Sequence, residues 1–330
     1  MNLHMRRRLV LGMLAGLAPL GAFAQARGKV WRVGFLSPRP RPANFDTDVF
    51  GAFRQGMREL GYVEGKNLVI EWRFAEEKFE RLAGLAAELV KSEVDVIVAS
   101  ANHATGAAQK ATTAIPIVMG NSSDPVGSGF VTSLAHPGGN ITGLSNLSGD
   151  FISKHLEMLV GMVPKLSRVA VLLHPTDLAK VATLKSIRAA AQSSGVTVLP
   201  VEAGGVRDFE SAFATMVKEK AQAIILVSNP IFAEQRRLIA ELAARHRLPF
   251  VSIYREYAEA GALISYGPSL LEQYRRAATY VDKIFKGIKP GDLPVEQPTK
   301  FDLLINRRTA KALGLVIPQS FLISADKVIE

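Results

Sequence analysis

The chain has 330 residues, 48% hydrophobic and 21% charged, which is enough for two packed cores and too apolar for a disordered protein. Forty Lys and Arg against thirty Asp and Glu give a net charge of +10, but the basic residues are dispersed. Outside the first turns of the chain they form only doublets such as Arg236-Arg237, Arg275-Arg276 and Arg307-Arg308, which argues against a nucleic-acid partner. The absence of cysteine excludes disulfides, thiolate nucleophiles, zinc–thiolate and iron–sulfur sites, and a lipid-modified amino-terminal Cys.

Residues 1–26 have the order of a secretory signal peptide. Arg6-Arg7-Arg8 supplies the basic end, Leu9 to Phe23 the apolar middle, and Ala22-Phe23-Ala24 with Gln25-Ala26 the small-residue cleavage region. The apolar run is shorter than the roughly 20 residues that span a bilayer, so removal is expected, leaving a net charge of about +7. The expected compartment is the periplasm, and the general secretory system fits better than twin-arginine export.

From Val30 onward, short β-branched runs alternate with helix-period stretches, the pattern of parallel sheets with helices on both faces. Strands are expected at Trp31–Leu36, Leu68–Phe74, Val94–Ala99, Ile115–Met119 and Ile141–Leu144. A second series follows at Arg168–Leu173, Val196–Val201, Ala223–Val227, Phe250–Ile253 and Ala262–Tyr266. Two sets of five imply an α/β chain of two Rossmann-like lobes. Helical stripes lie between them: Phe50, Phe53, Met57 and Leu60 before Gly61; Leu82, Leu85, Leu89 and Val90; Leu156, Leu159, Val160 and Val163 before Pro164. Tyr274, Ala277, Ala278, Val281, Ile284 and Phe285 form a last long helix, and Lys289 to Pro298 reads as a linker.

In open α/β sheets, ligands bind outside the carboxyl ends of the strands. Candidate contacts are therefore Ser37, Ser100, Ala101, Asn102, Asn121, Asp124, His174, Ser228, Asn229, Tyr254 and Tyr266. These are mostly uncharged hydrogen-bonding groups with two aromatics, a lining suited to reversible capture of a small polar ligand. Ser and Asn at strand ends also serve as helix caps. Asp124 is read first as the cap of a helix over Val126 to Leu134, with Pro125 in its first turn, and second as a partner for a ligand ammonium.

Several chemistries are absent by pattern. The turn from Ser37 to Asp48 contains no glycine, which removes the usual dinucleotide fingerprint. Gly65-Lys66-Asn67 lacks the rest of a phosphate-binding loop and reads as a turn. The histidines at 103, 136, 155, 174 and 246 are scattered, so neither a metal nor a cofactor is expected. No Gly-x-Ser-x-Gly elbow or partnered acid pair asks for an enzyme.

Three stretches carry a family resemblance: Gly61-Tyr62-Val63-Glu64-Gly65-Lys66-Asn67-Leu68; Asp124-Pro125-Val126 through His136-Pro137-Gly138-Gly139-Asn140-Ile141-Thr142-Gly143; and Leu293-Pro294-Val295-Glu296-Gln297-Pro298 through Ala310-Lys311-Ala312-Leu313-Gly314-Leu315. The sequence resembles the periplasmic or lipid-anchored substrate-binding proteins of ABC transporters, in the subgroup that includes tryptophan and other aromatic amino-acid binders. The resemblance implies a type I periplasmic-binding fold, with lobes covering residues 28–145 and 146–267. Residues 268–290 would return to the first lobe and residues 295–330 would end in the second. Crossovers are implied near Gly143 to Ser148, Gly267 to Leu270 and Pro290 to Pro298. It also implies hinge closure on a small-molecule ligand, an inner-membrane ABC permease with its ATPase as partner, and a monomer. A periplasmic α/β enzyme or a ligand sensor using the same cleft is the alternative.

Overall fold

The computed structural model describes residues 29–330 apart from Thr47 and Leu147, with the side chains of 148–150 also outside the description. The proposed signal peptide therefore lies outside the described residues. The first lobe runs β1 (Trp31–Ser37), α1 (Val49–Glu59), β2 (Leu68–Phe74), α2 (Leu82–Lys91), β3 (Val96–Ser100), α3 (Ala101–Ala111), β4 (Ile117–Ser122) and β5 (Ile141–Ser145). The chain then crosses to α4 (Ser148–Met162), β6 (Arg168–Leu173), α5 (Lys180–Ser194), β7 (Thr197–Glu202), α6 (Val206–Lys218) and β8 (Ala223–Leu226). The second lobe continues with α7 (Pro230–Glu234), α8 (Arg236–Arg245), β9 (Phe250–Ser252), α9 (Arg255–Ala260) and β10 (Ile264–Gly267). Helix α10 (Leu270–Phe285) follows, then β11 (Asp302–Asn306), α11 (Arg307–Leu313), α12 (Gln319–Ser324) and β12 (Lys327–Ile329).

The first sheet has the order β2-β1-β3-β4-β5, and within the second sheet β7-β6-β8-β9-β10 repeats it. All ladders among these ten strands are parallel, so every strand in a lobe presents its carboxyl end to the same side. The two last strands extend the second sheet: β11 pairs antiparallel with β10 and parallel with β12. These two are absent from the expected set of ten, because Leu303, Leu304 and Ile305 make only a short apolar run after the Pro-rich stretch.

Each sheet is covered on both faces. In the first lobe, Phe35, Phe50, Phe53, Tyr274 and Val281 pack between the sheet and the pair α1 and α10, while Leu36, Leu89, Ile97 and Met119 face α2 and α3. In the second, Phe209, Phe213 and Leu242 of α6 and α8 cover one face, and Leu156, Leu159 and Ile187 of α4 and α5 the other. Burial on two faces explains why the strands read as continuous apolar runs. Helix α10 belongs to the first lobe although it follows the second-lobe strands, since Gly56 lets α1 approach it closely: a Cβ there would lie 2.6 Å from the Arg275 carbonyl oxygen.

Two expectations need correction. Lys289 to Pro298 is no free linker: Leu293 and Val295 are 6% and 5% exposed, the Thr142 hydroxyl donates to the Leu293 carbonyl at 2.6 Å, and Glu296 N–H donates to the Gly143 carbonyl at 2.9 Å. Prolines suppress regular strand but not pairing along an edge, so this segment protects the exposed edge of β5, and the terminal passage to the second lobe begins after Glu296. Val126 to Leu134 is not helical. Residues 125–129 form a turn closed by the Ser128 N–H to Asp124 carbonyl bond at 3.0 Å. Among the described residues no helix is long and apolar enough to cross a membrane.

Candidate functional site

A cavity of about 220 Å³ lies between the lobes, against the carboxyl ends of the parallel strands. Ser100, Ala101, Asn102, Asn121, Ser228, Asn229 and Tyr254, all selected by position after a strand, line it. Ser37, Asp124, His174 and Tyr266 do not. The Ser37 hydroxyl is fully buried and accepts the Arg39 N–H at 3.1 Å. Asp124 Oδ1 accepts the Gly127 N–H at 2.8 Å, so it caps a turn and not a helix. His174 Nε2 meets the Gly204 carbonyl at 3.1 Å, and its Nδ1 accepts the Thr176 N–H. The Tyr266 carbonyl is bonded to buried His155 at 2.7 Å, while its ring packs on Phe151 and Phe301.

The first-lobe wall is built on two irregularities of the sheet. The ladder shifts register between Ala99 and Ser100 and again between Met119 and Ser122, which re-aims the side chains that follow. Ala101 then begins α3 with φ of +65°, a left-handed conformation that costs of order 1 kcal/mol for a residue with a Cβ and turns the helix start toward the cavity. The Asn121 carboxamide oxygen accepts both the Ala101 N–H, at 3.2 Å, and the Tyr274 hydroxyl, at 2.7 Å. Since the Tyr274 proton goes to Asn121, Ser100 Oγ donates to the phenol oxygen across 2.5 Å. Gly120 makes room for this arrangement: a Cβ there would stand 2.6 Å from the Tyr274 ring.

Asn102 lines the cavity but its amide is committed elsewhere. Its oxygen accepts the Ser122 hydroxyl at 2.9 Å and the Ser123 N–H at 3.2 Å, while its NH2 donates to Ser123 Oγ and Ser128 Oγ. With both ends of the amide engaged, Asn102 holds the loop after β4. At the floor, the Asn146 NH2 donates to the Tyr254 phenol oxygen at 2.6 Å, and the Asn146 oxygen accepts from Gln273. Burial pushes the phenols of Tyr254, Tyr257 and Tyr274 well above their ordinary pKa, so all three keep their protons.

The second-lobe wall is simpler. Asn229 caps α7 by accepting the Ile231 N–H at 2.9 Å, and Ser228 Oγ lies 3.3 Å from the Tyr257 hydroxyl. Arg236 donates to the Ala233 carbonyl at 2.7 Å. The Glu256 carboxyl is pushed up by burial, opposed by its own backbone N–H and by Arg255 and Arg236.

The lobes are closed on one another. Arg39, after β1, grips Asp48 with two bonds of 2.9 Å and reaches across the cleft to Glu234 at 2.6 Å. At the other rim, His103 Nε2 lies 3.1 Å from the Thr176 carbonyl of the second lobe, and its ring stacks on Phe79 at 4.1 Å. Burial lowers the His103 pKa, which keeps the ring neutral at pH 7.

Position after a strand misses Arg39, Asp48, Asn146, Arg236, Glu256, Tyr257 and Tyr274, all on the wall. Tyr274 had a signal: a tyrosine within an apolar helical stripe must bring its hydroxyl to a partner. Arg236 and Glu256 had none, because each is one charged residue among several on a helix.

Two lobes of matching strand order, with a polar cavity between the carboxyl ends of both sheets, define a solute-binding protein that encloses its ligand. The chain belongs to the ABC transporter substrate binding protein family, which it matches over residues 45–329. The Tyrosine-binding protein of Clostridioides difficile (strain R20291) is 24% identical over 263 residues, covering 80% of this chain and 75% of that one. A conserved domain protein from Vibrio cholerae superposes with a TM-score of 0.84 at 29% identity, covering 91% of this chain and all of the other. The ABC domain from Streptococcus pneumonia in complex with L-Trp also gives 0.84, at 24% identity, covering 91% and 99%. The family consists of binding proteins that take a small-molecule ligand, work with a membrane ABC transporter and are typically extracellular or periplasmic.

Proposed function

We propose that this chain is a periplasmic receptor for a small polar or aromatic ligand, an amino acid or related compound and an aromatic amino acid first, exported by a cleaved signal peptide over residues 1–26. The observation that carries this reading is the inter-lobe cavity of about 220 Å³ lined by hydrogen-bonding groups of both lobes and by Tyr254, Tyr257 and Tyr274. That size falls below the roughly 300–1,000 Å³ of sites for drug-sized ligands, which suits a compound of amino-acid dimensions. The names of two relatives, a tyrosine-binding protein and a tryptophan complex, favour the aromatic class.

The ligand would enter between parted lobes and favour the closed state through contacts to both walls, the closed form being what the inner-membrane permease and its ATPase receive. The protein would act as a monomer, since the cleft must open and close freely. Reversible binding needs no reactive group, and Ser100 supports that reading because its hydroxyl is engaged with Tyr274 and has no histidine base.

The test is a thermal-shift screen of residues 27–330 against amino acids, nucleosides, aromatic acids and purines. L-tyrosine or L-tryptophan at a hundred times its Kd should add about 2.7 kcal/mol of stability, with the compound recovered unchanged. A response confined to nucleosides or purines would overturn the amino-acid reading. So would silence from every amino acid together with none released when the purified protein is denatured.

A further inference from the structure

The charged groups of the cavity wall divide into those whose charged atoms are already engaged by neighbouring residues and those that are nearly free. Arg39 and Asp48 neutralise one another, with Glu234 completing the cluster. Asp177 lies in the turn ahead of α5, where its Oδ1 accepts the Ala179 N–H at 2.9 Å. Arg236 and Glu256 differ. Each is partly buried and each lines the cavity. Among the described residues neither has an opposite charge within ion-pair distance; the guanidinium of Arg236 donates to the Ala233 carbonyl, the carboxyl of Glu256 bonds to its own backbone N–H, and Arg236 and Arg255 act on Glu256 only as longer-range charges.

Charges held partly away from water without an ion-paired partner are costly to keep. A partner that arrives with the ligand removes that cost at the moment of binding, and it makes the ligand's charge pattern the thing selected. Two charges of opposite sign on one wall, neither held in an ion pair, select a molecule that carries both. We propose that Arg236 and Glu256 are the specificity pair of the cavity, Glu256 receiving the ligand's ammonium group and Arg236 its carboxylate. The assignment rests on the amino-acid reading above and adds to it the residues that distinguish a zwitterion from its singly charged analogues. Arg236 and Glu256 come from neighbouring helices of the same lobe, α8 and α9. The zwitterionic end would therefore seat on the second lobe, and the side chain would meet the hydrogen-bonded wall of the first.

The experiment compares three matched compounds by calorimetry: L-tryptophan, tryptamine without the carboxylate, and indole-3-propionate without the ammonium, with the tyrosine set of the same design in parallel. The wild-type protein should prefer the amino acid to either analogue by a hundredfold or more. In Glu256→Gln the preference over the propionate should shrink at least tenfold because only the amino acid loses affinity. In Arg236→Gln the preference over the amine should shrink likewise. Glu241→Gln, an exposed carboxylate on α8 away from the cavity, should leave both preferences unchanged. Each ratio is taken within one variant, so a general loss of stability does not move it. Preferences that survive both Glu256→Gln and Arg236→Gln would overturn the pair while leaving the receptor reading intact. A wild-type protein that binds neither tryptophan nor tyrosine sets would overturn both.

Discussion

The two walls of the cleft are made from the same topology and yet differ in how their polar groups are used. On the first lobe, Ser100, Asn102, Asn121 and Tyr274 bond to one another and to the loop after β4, so the wall is fixed before any ligand arrives. On the second, among the described residues, Ser228 has one long contact, Arg236 one backbone carbonyl and the Glu256 carboxyl only its own backbone N–H as a hydrogen-bond partner. One wall is preorganised in shape, and the other retains its binding capacity. A receptor needs both, since preorganisation limits the ordering cost of binding and the uncommitted groups provide selectivity.

Four experiments break or sharpen that contrast, beginning with the largest effect. The second lobe carries an acid-sensitive support: burial lowers the pKa of His155 to about 4, with Nε2 on the Tyr266 carbonyl and Nδ1 without a partner. In the unfolded chain it titrates near 6.5, so between pH 6.5 and 4 the unfolded state binds the extra proton. Stability is therefore full above pH 6.5 and should fall by about 3 kcal/mol toward pH 4. Denaturant titrations across this range should show His155→Gln with a flatter profile; an unchanged profile would remove His155 from the account.

Gly120→Ala forces a Cβ against the Tyr274 ring and should cost about 1–3 kcal/mol, with ligand affinity falling alongside. If affinity is retained, the first wall is less rigid than its bonding implies. Tyr274→Phe removes only the hydroxyl and leaves Asn121 and Ser100 short of a partner, a loss of about 1–2 kcal/mol. Crystallography of that variant should show Asn121 turned from its present position. Glu234→Gln weakens the contact from Arg39 across the cleft, for an effect under about 1 kcal/mol on stability. Its readout is faster ligand release and a larger radius of gyration without ligand, and unchanged scattering would show that Arg39 does not hold the lobes together.

Legibility in the sequence followed burial. Strands sealed on both faces announce themselves as apolar runs, so the ten parallel strands stand within a few residues of expectation, whereas the return of α10 to the first lobe has no local signal and is implied only by the family resemblance. The ends of those strands marked seven wall residues. Asp124-Pro125 looked like a helix start, but residues 125–129 only turn, because Gly127 and Gly129 with the Ser and Thr around them favour loop bonding over helix. Lys289 to Pro298 looked unstructured because its pairing partner, β5, lies about 150 residues earlier. The same distance hides the cleft contacts: Arg39 and Glu234 are 195 positions apart, and no local pattern marks either as facing the other. Conversely Ser37 and His174 sit after strands but point into packed surroundings, which position alone does not reveal.

The core of the first lobe takes Tyr274, Ala277, Val281, Phe285 and Leu293 from the far side of the second-lobe sequence. As the chain emerges during synthesis, the strands of the first lobe are made early, but the α1 face of their sheet remains incompletely covered until almost nine-tenths of the polypeptide exists. The usual order, in which the amino-terminal unit folds while the rest is still being made, is closed to this protein. Under the export proposed above, that delay would keep the first lobe open for passage across the membrane.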